Sequence, residues 1–311
     1  MNSKDFEYKQ ISLVKVPLEE IKNIINVEAY QLLKDGTIRL YKPKGKPIPQ
    51  KKIDEHRVPE LYVSPSDLRP FRIEYMQQLN KKLSFAINGK KDIDSIVQAT
   101  KDIMVTVLKD PEDGSINQIP ETADLLLKSI YLDPFVLTEF VKIQMWGEDL
   151  AMHLINVMGL VMKYCLYKNY TKETSKPYLI GALLHDIGQV KLGIDFYDKE
   201  LTDEEYKKYT NHPIVAAKIM QAEGRDEFNE PIIGVSEHHE LEDKSGYPNK
   251  KKPSFEISRV ISIADDYDNL TSFRGKQLDK IDALKLIREE VNKGLRDKKI
   301  FEDFVNSLKK A

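Results

Sequence analysis

Residues 179–188 read LIGALLHDIG, an apolar run that closes on an adjacent histidine and aspartate, His185 and Asp186. The run is predicted to be a buried helix, with Gly188 as its C-terminal cap. Working outward, His153 follows Leu150 and precedes Leu154, Val157, Met158 and Val161, which places it on or beside another buried helical face. His239 shares a predicted helical face with Phe228, Ile232 and Val235. In EISRVISIADDYD, residues Ile257, Ile261, Ala264, Asp265 and Asp268 fall on one stripe. An ionised aspartate on an apolar helix face is costly unless it is paired or bound to metal. The fold implied for this half of the chain is therefore a helical bundle with charge at its centre.

Five of the six histidines (His153, His185, His212, His238 and His239) lie in this half, whereas His56 stands alone in a polar stretch, DEHRV. Together with Asp186 and Asp265 they make seven ligand-type side chains on helices that must pack together. A cation resolves the cost. Neutral imidazole with carboxylate suits Fe, Mn, Zn, Ni or Co, and no thiolate set is present to select zinc. Seven ligands exceed what one ion takes, so a two-metal site with a bridging carboxylate is the economical reading. Two ions about 3.5–4 Å apart clamp phosphoryl oxygens and lower the pKa of a bridging water, which points to phosphoester hydrolysis.

The rest of the chain narrows the class. Its 311 residues are 41% hydrophobic and 32% charged, a globular composition that excludes collagen, low-complexity disorder and a coiled-coil rod. Lys+Arg 48 against Asp+Glu 50 leaves a net charge of −2, too balanced for a general DNA binder. The single cysteine, Cys165, excludes an internal disulfide. Unbroken apolar stretches run to about six residues and are not expected to span a bilayer. With no signal peptide in MNSKDFEYKQ, the expected location is cytoplasmic. Residues 1–83 are read as a small α+β domain. It has a strand ending at Pro17, two strands joined at Asp35-Gly36, a Pro/Lys loop KPKGKPIPQKK, a strand at Leu61–Val63 and a helix over 70–83. Residues 84–135 are read as a helical connector and 136–311 as the all-α bundle. No cofactor motif marks the first domain, so a regulatory or partner-binding role is assigned to it by default.

The motifs in order are ALLHDIG, NHP at His212, HHELEDKSGYP and ISIADDYDNLTSFR. With His153 they resemble the HD-GYP family, bacterial phosphodiesterases of cyclic di-GMP and a branch of the HD phosphohydrolases. The match covers about residues 145–280. The resemblance implies an HD-type helical bundle in which His153, His185, Asp186 and Asp265 surround one metal. Asp186, His212, His238 and His239 would surround the other, with Asp186 as the bridge. It implies two transition-metal ions, iron first and manganese second, with Asp149 near a third ion or simply exposed. Asp186 and Gln189 become catalytic candidates, and Tyr247, Arg274 and Lys191 substrate-binding ones. The implied chemistry is in-line attack of a metal-bridging hydroxide on phosphorus, giving pGpG or GMP.

The chain also departs from the family. Gln189 stands where the family has lysine, Lys244 where its DG element has glycine, and RGKQ lacks the second basic residue after Arg274. Metal positions are kept while substrate positions have drifted. A metal-loaded sensor or interaction module without turnover is therefore a second reading, and a hydrolase of another nucleotide a third.

Overall fold

The computed structural model describes residues 12–89, 93–142, 149–193, 201–272 and 277–309. Strands β1 (Val14–Val16), β2 (Ala29–Leu32), β3 (Ile38–Lys42) and β4 (Leu61–Val63) form one antiparallel sheet in the order β1-β4-β2-β3. The β2–β3 hairpin closes where Leu33 N–H donates to Thr37 O at 2.9 Å, leaving Lys34, Asp35 and Gly36 in the loop. Gly36 takes a φ of 85°, the left-handed value a side chain would resist. Two short helices, α1 (Leu18–Ile21) and α2 (Gln50–Asp54), flank the sheet. Its apolar face packs with Ile21, Ile24, Val27, Ile48 and Phe71 into a small core.

Helix α3 (Pro65–Asn88) starts five residues before the expected Pro70 and ends five after the expected 83. Ser64 sets the start: its side chain accepts the Asp67 N–H at 3.1 Å, with Pro65 at the first helical position. Pro70 is carried inside the helix and does not begin it. Helix α3 thus runs through the expected domain boundary. Phe71 belongs to the sheet core, Met76, Leu79 and Leu83 to the larger helical core, and Tyr75 packs on both.

The larger core is shared by α4 (Ile93–Lys109), α5 (Ile119–Leu132), α6 (Phe135–Lys142), α7 (Leu150–Tyr167) and α8 (Lys172–Leu184). It continues through α10 (His212–Ala222), α11 (Asn229–Glu237), α12 (Glu256–Thr271), α13 (Lys280–Asn292) and α14 (Lys298–Lys309), whereas α9 (Asp203–Tyr209) adds no residue to it. No strand returns after β4 among the described residues. Helix α7 lies at the centre, in contact with α4, α6, α8, α12 and α14. By length and composition it is apolar enough to cross a membrane, contrary to the reading from unbroken runs, but 78% of it is buried in the bundle. Its apolar character serves the core.

Candidate metal centre

Each of the seven predicted ligands is placed by a helix end or a buried helix face. His153 lies on α7 and Asp265 on α12. His185 ends α8, and Asp186 opens the three-ten turn Ile187–Lys191. His212 is the first residue of α10. His238 and His239 follow the end of α11, so the expected helical face shared by His239 with Ile232 and Val235 is not formed. The physical reason is local: the His238 ring donates from Nδ1 to Val235 O at 2.7 Å, and Glu240 N–H turns back to Glu237 O, closing the helix.

These residues converge on two groups that share one aspartate. The donor atoms of His153, His185, Asp186 and Asp265 all lie within 4.8 Å of one another, and so do those of Asp186, His212, His238 and His239. Asp186 divides its oxygens between them. Oδ2 is 3.5 Å from His153 Nε2 and 3.6 Å from His185 Nε2, whereas Oδ1 is 3.0 Å from His212 Nε2 and 3.6 Å from His238 Nε2. Asp265 Oδ1 lies 3.1 Å from His153 Nε2, and its Oδ2 lies 3.9 Å from His239 Nε2.

The ring tautomers show what such a group can hold. His185, His212 and His238 place Nδ1 on the backbone carbonyls of Ala182 (2.9 Å), Tyr209 (2.8 Å) and Val235 (2.7 Å). His153 places Nδ1 on Asp268 Oδ2 at 2.7 Å. A carbonyl or carboxylate can only accept, so each neutral ring carries its proton on Nδ1 and presents a lone pair at Nε2. Those lone pairs then face each other, His153 to His185 at 3.3 Å and His212 to His238 at 3.2 Å. Two facing lone pairs repel unless a proton or a cation lies between them. Asp186 Oδ1 and His239 Nε2 are buried with no hydrogen-bond partner, the orphaned atoms a cation would satisfy. The donor set fits a metal.

Electrostatics agree. Burial opposes charge on His153, yet the carboxylates of Asp186, Asp265 and Asp268 hold it well above the usual imidazole range. Burial likewise opposes charge on Asp186 and Asp265, yet the surrounding histidines hold both well below the usual carboxylate range. Burial, with the rings of His238 and His212 nearby, keeps His239 neutral well below its ordinary value. The carboxylates are drawing positive charge into a buried site.

The substrate candidates are placed less uniformly. Tyr247 stacks on His239, with ring centroids 4.5 Å apart at 28°. Gln189 is buried on the turn after Asp186, its N–H donating to Asp186 O at 2.9 Å. Lys191 is engaged elsewhere, its ammonium 2.9 Å from Asp110 and 2.6 Å from Glu112. Arg274 lies outside the described residues. Asp149 caps α7 by accepting Met152 N–H at 2.9 Å and pairs with Lys101 at 2.7 Å.

Gly188 is not the left-handed cap expected of it. It is held by close approach: a Cβ there would lie 2.1 Å from His212 O and 2.8 Å from Ala216 N. Gly246 is constrained similarly, 2.3 Å from His239 O. Lys244 adopts a φ of 68°, so the backbone keeps the left-handed bend that suits the family's glycine.

Sequence reasoning missed Glu237, Glu240 and Tyr209. Glu240 accepts Asn249 N–H at 2.7 Å and Lys251 N–H at 2.9 Å. Glu237 accepts Ser254 N–H at 2.7 Å and the Ser258 hydroxyl at 3.1 Å. These two buried acids fasten the loop that carries Tyr247. The Tyr209 ring sits 4.7 Å from that of His212 and 6.4 Å from that of Tyr247. Burial and the fields of Asp186 and Asp265 keep its phenol neutral. The signal available was the family-like string HHE itself, whose glutamate was read only as part of a motif.

A family profile for the HD domain matches residues 139–300, just over half the chain. The chain belongs to the HD domain family. The HD domain has the fold of metal-dependent phosphohydrolases, and here it carries a His/Asp cluster of metal-ligand type. Among solved structures, Bd1817, an HDG"Y"P protein from Bdellovibrio bacteriovorus, is similar over 96% of this chain and 100% of its own, with a TM-score of 0.63 at 19% identity. That likeness extends through the N-terminal sheet and concerns the fold. The HD domain of the phosphodiesterase PgpH from L. monocytogenes matches 55% of this chain and 94% of its own at 13% identity, with a TM-score of 0.39 that carries no further argument. No curated protein matches the sequence. The HD-GYP resemblance read from the motifs is supported by the profile match and by the shared fold.

Proposed function

We propose that this HD domain protein is a metal-dependent phosphodiesterase of cyclic dinucleotides, acting on cyclic di-GMP to give pGpG and onward GMP. The supporting observation is the division of the Asp186 carboxylate between two histidine groups whose Nε2 lone pairs converge. In this reading His153, His185, Asp186 and Asp265 hold one ion, and Asp186, His212, His238 and His239 the other. Iron is the first choice and manganese the second. Bound there, the pair supplies Lewis-acid polarisation of a phosphoryl group and a water of lowered pKa. The chain's own residues do the rest. The Nδ1 anchors stop the rings from rotating, so their lone pairs stay aimed without a cost on binding. Tyr247 offers its phenol to the substrate beside His239, Gln189 offers a neutral hydrogen bond, and Arg274 supplies the cationic contact. The reaction is placed in the cytoplasm, with the N-terminal sheet as the surface for a protein partner.

The engagement of Lys191 by Asp110 and Glu112, with Gln189 in place of lysine, favours a second reading. In it the protein is a metal-loaded sensor that holds a cyclic dinucleotide without turnover. Anaerobic purification, elemental analysis and a cyclic di-GMP turnover assay with added Mn²⁺ or Fe²⁺ on one sample separates the two. The expected result is close to two ions per chain and linear product. Full metal without product supports the sensor, and a folded protein that takes up no metal ends both readings.

Gln189→Lys is a finer test. Adding a charge-stabilising donor can raise a rate by about 10²–10³-fold in favourable geometry. Because Gln189 is buried, part of that gain is offset by desolvation of the ammonium, and about tenfold is expected. Metal content should stay unchanged. A fall in kcat at matched metal loading would show a substrate site built around the glutamine.

A further inference from the structure

Nine residues, Asp110–Gln118, join α4 to α5 and touch three separate parts of the molecule through charged side chains. The first contact is with the N-terminal sheet region. Asp113, with a side chain only 1% exposed, lies 2.9 Å from Arg72 Nε of α3. Arg72 in turn pairs with the buried Glu20 of α1, whose other oxygen takes Lys109 Nζ at 2.5 Å. The second contact is with the turn that carries Asp186. Lys191, its last residue, binds Asp110 and Glu112. The third is with α10, which begins at His212. Glu223, the residue that ends α10, is 3% exposed at its side chain and binds Arg69 at 2.5 Å and the Asn117 amide. Arg225 closes this contact by donating to Asn117 O at 2.7 Å. Gly114 bends the segment at a φ of 92°, and a Cβ there would lie 2.8 Å from Arg69 Cγ.

The two segments held in this way carry the two ligands that meet at Asp186 Oδ1: Asp186 itself and His212, 3.0 Å apart. They also touch directly, at Gly188. At the Asp113 and Glu223 contacts a buried carboxylate that loses its partner is left uncompensated, while the half-exposed Lys191 pairs tie the segment more weakly to the turn of Asp186.

We infer that Lys191 and Glu223 are positioning residues that fix Asp186 and His212 through the 110–118 segment, and that Arg72 ties this scaffold to the N-terminal sheet. The inference rests on the metal-centre reading and assigns Lys191 to scaffold, not to substrate. On it, the N-terminal region is part of the metal site's support, and anything that binds there and moves Glu20 changes cation affinity by linkage.

The test titrates the chelator-stripped full chain with Mn²⁺ alone by calorimetry and then measures kcat and KM after loading. Outer partners of metal ligands typically contribute about 10–100-fold in affinity. Glu223→Gln, at a buried position, is expected to weaken binding about tenfold. Lys191→Met, whose pairs are partly solvated, is expected to weaken it about threefold with KM unchanged, and Lys191→Arg to restore it. Arg72→Met should weaken binding too, and the Arg72→Met/Lys191→Met double variant should lose less than the product of the single effects. If Arg72→Met does not fold, the Lys191 and Glu223 variants decide the matter alone. A wild type that binds Mn²⁺ with the variants indistinguishable from it overturns the positioning role only. A raised KM for Lys191→Met at unchanged metal affinity returns that residue to the substrate. A wild type that takes up no cation overturns both this inference and the metal reading.

Discussion

Asp186→Ala is expected to empty both cation sites and to lower turnover by at least about 10³-fold, the upper end of what one stabilising group contributes. The loss is large because the carboxylate is shared. Oδ2 faces His153 and His185, and Oδ1 faces His212 and His238, so one substitution removes a ligand and a negative charge from each group. Five imidazoles would then share one remaining carboxylate of the two groups, Asp265, and a cation entering either group would lose its principal counter-charge. His153→Ala is the control. It removes a neutral ligand from one group only, leaving His185, Asp186 and Asp265 for that ion and the other group intact. Partial occupancy is therefore expected. Elemental analysis of both variants, with circular dichroism to verify the fold, checks the pair. Equal metal loss in the two would count against Asp186 as the shared ligand.

Gly188→Ala is expected to destabilise the protein by about 3 kcal/mol, the upper end of ordinary overpacking, and to lower metal content toward one ion per chain. The added methyl would sit 2.1 Å from His212 O and 2.8 Å from Ala216 N, both backbone atoms of the first turn of α10. Backbone cannot yield as the end of a flexible side chain can, so the turn after Asp186 and the start of α10 must separate. That separation carries His212 away from Asp186 Oδ1. The group formed by His153, His185, Asp186 and Asp265 makes no use of α10, which is why the loss should be selective. Thermal unfolding of the apo protein and metal analysis of the loaded one measure the two parts. An unchanged melting temperature with both ions retained would disprove the contact.

That these five histidines and two aspartates come together was legible in the sequence because the cost of burying them is local. Histidine and aspartate on buried apolar faces need a counter-charge, from each other or from a cation, wherever the helices go. The β2–β3 hairpin was legible for the same reason, since Gly36 alone supplies the left-handed residue that the loop requires. What escaped depends on distance along the chain. Lys191 looks like a spare cation until Asp110 and Glu112, about eighty residues earlier, are brought against it. Glu237 and Glu240 look like surface acids until the backbone amides of the Tyr247 loop fold onto them. Gly188 reads as a helix cap because adjacent residues suggest one, whereas its constraint comes from the backbone of α10. The start of α3 was misplaced at Pro70 because proline is a strong start signal; Ser64-Pro65, earlier, is the one the backbone uses.

Helix α3 has a consequence for how such chains can be recombined. Phe71 belongs to the sheet core and Met76 to the helical core, with Tyr75 in both, so the junction between the two is the interior of a helix and contains no linker. Any exchange of the N-terminal region is then a problem of helical phase. One residue inserted after Tyr75 turns the sheet about 100° around the helix axis, at 3.6 residues per turn, and swings Glu20 and Arg72 together away from Lys109 and Asp113. Seven residues, close to two whole turns, nearly restore the angle while lengthening the rod by about 10 Å. The spacing between the two regions is thereby quantised, and natural variation in length at this junction should come in steps of whole turns.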